Sequence, residues 1–137
     1  MRSRDGMTIG RLAKDAGVNV ETIRYYQRRG LLEEPPKPLG GQRRYPPAAV
    51  DRIAFIRRAQ KLGFSLAEVQ DLLQYVDGRS WRETRAIAER KYSALSMHAK
   101  QLNAMRRALR NLIQKSRKGS GKGCCPIIAA LDRRLVF

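Results

Sequence analysis

Cysteine is almost absent from this chain. Its 137 residues hold two, Cys124 and Cys125, side by side near the C-terminus. Adjacent thiols bonded to each other close a small strained ring and staple almost no chain, so a disulfide framework is excluded. Histidine and tryptophan occur once each, as His98 and Trp81. A lone histidine and scattered carboxylates do not make the convergent acid, base and nucleophile set of an enzyme. The common dithiol redox motif separates its cysteines by two residues, and that spacing is missing. No run approaches the ~18 apolar residues that suggest a membrane span. The start, "MRSRDGMTIG", lacks the apolar core of a secretory signal. These absences point to a cytoplasmic protein with no membrane segment, in a compartment where thiols stay reduced.

Negative charge is scarce too. Twelve acidic residues face 29 lysines and arginines, for a net charge of +17. A polyanion is the expected partner, either nucleic acid or an anionic membrane surface. At this length the chain fits one domain, or one small domain with an oligomerisation element.

What is present organises the first half. In "MTIGRLAKDAGVNVETIRYYQRRGLL", Thr8 can cap a helix with Ile9, Leu12 and Ala13 on its apolar side, and Gly17 can end it. Asn19 can cap a second helix that turns Val20, Ile23 and Tyr26 inward. Two short helices around a glycine turn make a helix-turn-helix candidate. The exposed side of the second helix would carry Thr22, Arg24, Tyr25, Arg28 and Arg29, which are phosphate and base-edge donors. A small helical bundle with a basic face is the alternative.

Prolines at 35, 36 and 38 break the helix after Glu34. Gly40 and Gly41 then stand between short pieces near Leu31–Leu32 and Arg43–Tyr45, a pattern that predicts a small hairpin, or wing. Gln42, Arg43 and Arg44 follow its tip and suit a second contact to nucleic acid, where a membrane-bound or purely structural dimer offers them no role. A third helix follows, with Val50, Ile53, Phe55, Ile56 and Leu62 as its apolar face. Ser65 and Glu68 form a capping-box pattern for a fourth, buried through Leu66, Val69, Leu72 and Leu73.

From Thr84 the period changes. Ala88, Lys91, Leu95, His98, Leu102, Met105, Leu109 and Leu112 alternate steps of three and four, a coiled-coil seam, and Ser116 falls on its next position. A helix of roughly 30 residues spans about 45 Å and cannot bury such a seam on a small domain alone. A homodimer is expected, with Leu95, His98, Leu102, Met105, Leu109 and Leu112 at the interface. His98 there is either a ligand or pH-sensitive contact, or a polar position that specifies the partner. A two-fold dimer would meet two half-sites of a palindrome.

"QKSRKGSGKG" reads as a flexible basic loop. Pro126 then opens a short helix with Ile127, Ile128 and Leu131 on one side, which puts Cys124 and Cys125 at the junction. Helix amides there would favour thiolate, as would Lys118 and Lys122 if they approach. The pair is either two inert small residues or a site for a soft thiophilic ion.

Over about residues 7–131 the chain resembles the MerR family of transcriptional regulators, in particular its mercury-responsive branch. "TIGRLAKDAGVNVETIRYYQRRGLL", "RRYPPAAVDRIAFIRRAQKLGFSLAEVQDLL" and "CPIIAAL" carry the resemblance. It implies a mainly α fold: a winged helix-turn-helix DNA-binding domain at 7–76, a hinge at 77–83, an antiparallel coiled-coil dimerisation helix at 84–117, and a loop with a short helix for the effector at 118–137. It implies a double-stranded promoter with an overlong spacer as target. Effector binding untwists the DNA so that RNA polymerase can use it. Arg24 and Tyr25 match recognition-helix positions, and Gln42, Arg43 and Arg44 match wing contacts to phosphate.

The sensor half departs from that pattern. Where mercury sensors of the family place three cysteines, this chain has Trp81, Ser116 and Cys125, with Cys124 newly beside the last. Three effectors stay open. Cys124 and Cys125 can take a different thiophilic species, such as arsenic(III), antimony(III) or an organomercurial. They can take mercury through two sulfurs. Or the effector is organic or redox in nature, with Trp81 lining a pocket and the cysteines not an ion site. Trp81 as plain packing is the further possibility.

Overall fold

The computed structural model describes residues 6–76, 78, 80–119, 121 and 123–132. They form six helices: α1 (Ile9–Ala16), α2 (Val20–Arg28), α3 (Ala48–Lys61), α4 (Leu66–Leu73), α5 (Trp81–Lys118) and α6 (Pro126–Leu131). The chain divides into two compact units between Lys91 and Tyr92. No helix among the described residues is long and apolar enough to cross a membrane.

In the first unit α1, α2 and α4 start where a side chain replaces a missing backbone partner. Thr8 Oγ1 accepts from the Arg11 amide at 3.2 Å, and Asn19 Oδ1 from the Thr22 amide at 2.8 Å. Gly17 ends α1 in the left-handed region at φ 71°. Its amide and that of Val18 close the last turn onto Lys14 and Ala13. Apolar positions at helical spacing then meet. Leu12, Ile23, Leu31, Tyr45, Ile53, Ile56 and Val69 are fully buried in one core, which also takes in Tyr26. Burying an aliphatic side chain of this size contributes about 1.5–3 kcal/mol, so this cluster is what holds α1 to α4 together.

Two α3 arginines tie that core to the turns. Arg52 donates to the Leu31 carbonyl at 3.0 Å and Arg57 to the Gly17 carbonyl at 3.1 Å. Leu62, expected on the apolar face of α3, is 67% exposed. It stands at the C-cap, one residue past the helix, off the stripe formed by Ala49, Ile53, Ile56 and Ala59.

The wing expected between α2 and α3 is not there. No strand occurs among the described residues, and the one β-bridge joins Met7 to Tyr45. The reason lies in where the backbone groups go. Leu31 and Leu32 are core residues, and Arg52 takes the Leu31 carbonyl. Pro35, Pro36 and Pro38 have no amide to donate to a ladder. Gly41 turns back onto the Pro38 carbonyl at 3.2 Å, and Tyr45 exchanges both its bonds with Met7, at 2.8 and 2.9 Å. The fold is therefore mainly α, with a helix-turn-helix and an irregular loop in place of a hairpin.

Ser65 and Glu68 form the full capping box of α4. The Glu68 carboxylate also pairs with Lys91 on α5 at 2.9 Å. Lys91, expected on the dimer seam, thus turns toward α4 of its own chain. The Ser65 amide and then the Lys91 ammonium hold the Glu68 carboxyl below the usual carboxylate range. Its contribution is present above the unfolded value and is lost as acidification passes through the lowered one. Ser65→Ala is expected to cost about 1 kcal/mol in urea unfolding, and an unchanged midpoint would remove the cap from the stability balance.

In the second unit α5 continues to Lys118. Leu95, Leu102, Met105 and Leu109 are exposed in the single chain, as are Met97 and Ile113. His98 is exposed and Leu112 half-buried. Pro126 occupies the first turn of α6, where its missing amide costs nothing.

Candidate nucleic-acid interface and thiol site

On α2 the N-cap organises the surface it presents. Asn19 Oδ1 accepts from both the amide and the hydroxyl of Thr22, the latter at 3.0 Å, so the Thr22 hydroxyl is already engaged. Arg24 Nη1 donates to Glu21 at 2.9 Å. Tyr25 is partly exposed, with the Arg28 and Arg29 guanidinium groups 5.8 and 5.7 Å from its ring centre. Arg29 also donates to the Tyr25 hydroxyl at 2.9 Å. Cation–π contact and hydrogen bonding hold two positive charges on one aromatic platform.

Residues distant in sequence meet beside this helix. A cleft of about 450 Å³ is lined by Thr8, Gly10, Arg24, Lys37, Gln42 and Arg43, among others. Tyr45 forms its buried wall, its hydroxyl accepting from Gln27 at 2.6 Å. Arg43 is held by the Pro35 carbonyl at 2.9 Å, with the Glu34 carboxylate 3.6 Å away. Of the residues expected to touch DNA, Arg24, Gln42 and Arg43 share the cleft, while Thr22, Tyr25, Arg28 and Arg44 do not line it. Lys37 and Gln27 escaped the sequence reading. Lys37 lies between prolines, where no periodicity marks it, and Gln27 was one polar residue among several on α2. Three cations against the one carboxylate of Glu34 leave the cleft net positive, a surface suited to a phosphate backbone.

The thiols lie in the second unit. Both are exposed and free. Cys125 Sγ is 3.6 Å from Ser116 Oγ, so the loop returns α6 to the end of α5. Cys124 Sγ donates to the Cys125 carbonyl at 3.6 Å. The Ser116 hydroxyl, followed by the Ile127 and Ile128 amides, holds the Cys125 thiol below its usual range. Lys122 lies outside the described residues, as do Asp77 and Arg79 of the expected hinge. Among the described residues no three histidine, cysteine or acidic side chains cluster for a metal ion. The segment carries two thiols, and of these Cys125 lies beside the Ser116 hydroxyl; sulfur donors suit soft ions and not magnesium or calcium.

Trp81 belongs to the first unit. It is 74% exposed, which is not core packing. With Tyr75, Thr84, Arg85 and Ala88 it lines a shallow cavity of about 360 Å³.

Comparison with known proteins agrees with this layout. The family model described as "MerR HTH family regulatory protein" matches residues 7–76, and that described as "MerR, DNA binding" matches residues 50–112. The mercuric resistance operon regulatory protein of Serratia marcescens is 45% identical over 131 residues, covering 96% of this chain and 91% of that protein. The transcription regulator PbrR691 of Ralstonia metallidurans CH34, solved in complex with lead(II), superposes with a TM-score of 0.79 at 30% identity, over 92% of this chain and 99% of that one. The dual-function regulator MerR of Bacillus megaterium MB1, solved with mercury(II), has a TM-score of 0.68 at 36% identity, over 91% and 98%.

Proposed function

Since this chain belongs to the MerR HTH family of regulatory proteins, we propose that it is a metal- or metalloid-responsive transcriptional regulator that binds a palindromic promoter as a homodimer. The family is one of DNA-binding regulators and not of enzymes. The observation that carries the reading is the convergence of Arg24, Lys37, Gln42 and Arg43 on one cleft beside α2. Thr22, Tyr25, Arg28 and Arg44 extend the same contact. It acts in the cytoplasm, on nucleoid DNA.

Relatives that regulate mercury resistance, or that hold lead or mercury, support a soft thiophilic ion as effector. Cys124 and Cys125 would hold it, with Ser116 Oγ beside the second sulfur. Adjacent thiols do not readily span the linear geometry that two-coordinate mercury prefers. They approach the acute angle of pyramidal arsenic(III) or antimony(III) more easily. Ion binding there would act on α5, which runs unbroken from Trp81 to Lys118 and is anchored to α4 by Lys91 and Glu68. A shift of the DNA-binding heads would change the twist of the promoter, at a deformation cost met by protein contacts, and RNA polymerase would then engage it. The exposed Trp81 cavity supports the second reading, an organic effector.

The test is a gel-shift series on the promoter duplex beside its own gene. Affinity should fall log-linearly with salt. Arg43→Ala should weaken every duplex alike and flatten that slope by about one phosphate contact, whereas Arg24→Ala should also relax sequence preference. Equal affinity for random duplex at physiological salt would end the regulator reading.

A further inference from the structure

Glu21 is an anomaly on this surface. The chain carries only 12 acidic residues against 29 basic ones, and one of the 12 stands in the first turn of the helix assigned to base reading. A carboxylate there adds negative charge to a surface that meets a polyanion, which by itself weakens binding. The N-terminal residues of a recognition helix are the ones that reach base edges. The helix dipole favours an acid at this end, but that would be as true on any helix. An exposed pair three residues apart also contributes little to stability.

The geometry gives the carboxylate a different task. Glu21 Oε2 takes one N–H of Arg24, at 2.9 Å. Both side chains are well exposed, Arg24 at 52% and Glu21 at 74%, so the pair is not part of the core. A guanidinium has five N–H donors in a rigid fork, so one tether leaves the others free. Without the tether, Arg24 is one more mobile cation beside Lys37 and Arg43 in the cleft, and its nearest use is a phosphate. With it, the fork is aimed in advance, and less freedom is lost when it meets a base edge.

We propose that Glu21 is a specificity-determining positioning residue, which orients Arg24 toward a base edge and keeps its guanidinium from serving as one more sequence-blind phosphate contact. The inference rests on α2 being the recognition helix. Glu34, 3.6 Å from Arg43, provides the internal comparison. Arg43 is also fixed by the Pro35 carbonyl, so losing the Glu34 charge should leave its direction unchanged.

The experiment is fluorescence anisotropy with the promoter duplex and a shuffled duplex of equal length, across a salt series. Glu21→Ala should bind the shuffled duplex about threefold more tightly and the promoter less tightly, so the specificity ratio falls about tenfold. Glu21→Gln keeps an oxygen for Arg24 and should retain part of the ratio. Glu34→Gln should strengthen both duplexes alike and leave the ratio intact. In an Arg24→Ala background, Glu21→Ala should no longer change the ratio. The proposal is overturned if Glu21→Ala shifts both duplexes by one common factor, as Glu34→Gln does. It is also overturned if the loss persists without Arg24. Thermal melting checks that each variant is folded. A parent protein that binds both duplexes equally would overturn the operator reading and this inference together.

Discussion

Replacing Leu102 with aspartate is expected to split the dimer and abolish operator binding. Leu102 is 59% exposed in the single chain, in the middle of the stripe formed by Leu95, Met105 and Leu109. Water is a poor partner for that stripe, and a second copy of α5 is the proposed cover. A carboxylate buried there without a counter-charge costs about 3 kcal/mol or more per copy. The two-fold relation doubles the penalty, so the dissociation constant should rise by roughly four decades. Light scattering at micromolar concentration would read the mass directly. The variant should keep the melting behaviour of the first unit, because Leu102 takes no part in its core. Operator affinity should drop by much more than the dimer constant alone implies at working concentrations, since each monomer meets a single half-site. An intact dimer in this variant would place the interface on another face, and a monomer with full operator affinity would remove the palindrome.

The second large effect concerns the thiols. Native mass spectrometry of the reduced protein, titrated with mercury, arsenite and antimonite, should show an ion adduct that the double replacement Cys124→Ala, Cys125→Ala lacks. Promoter transcription by RNA polymerase with the same variant should lose its response to the ion while operator binding is kept, because the thiols and the DNA cleft belong to different units. Soft ions bind thiolate far better than oxygen donors, so Ser116 cannot replace either sulfur. Cys125→Ala should be the more damaging single change, as Cys125 is the thiol beside Ser116. An adduct that survives Cys124→Ala and disappears with Cys125→Ala would leave Cys124 without a role as ligand. Unchanged binding and induction in the double variant would defeat the thiol sensor, and the cavity beside Trp81 would become the effector site.

Much of this molecule was legible as a string of residues because the forces concerned act over three or four positions. Thr8, Asn19, the Ser65–Glu68 box, Gly17 and Pro126 each do what their local chemistry dictates, since a cap and its amide lie in the same turn. The apolar spacing of α1 to α4 predicted most of the core for the same reason, and the repeat along α5 marks residues that stay exposed in the single chain. The excess of positive charge and the scarcity of cysteine narrowed the function without any fold at all. Tertiary structure decided what depends on groups far apart in the chain. The wing failed because Leu31 and Leu32 were worth more in the core than in a ladder, and because Tyr45 found Met7 across 38 positions. Lys91 pairs with Glu68 of its own chain, and Leu62 fell one residue beyond the helix that would have buried it. The cleft that joins Arg24 to Lys37, Gln42 and Arg43, and the approach of Ser116 to Cys125, come from how a loop folds back. Proline-rich and glycine-rich segments have no period to read, so their path is set by which distant donors and acceptors remain unpaired once the helices have packed.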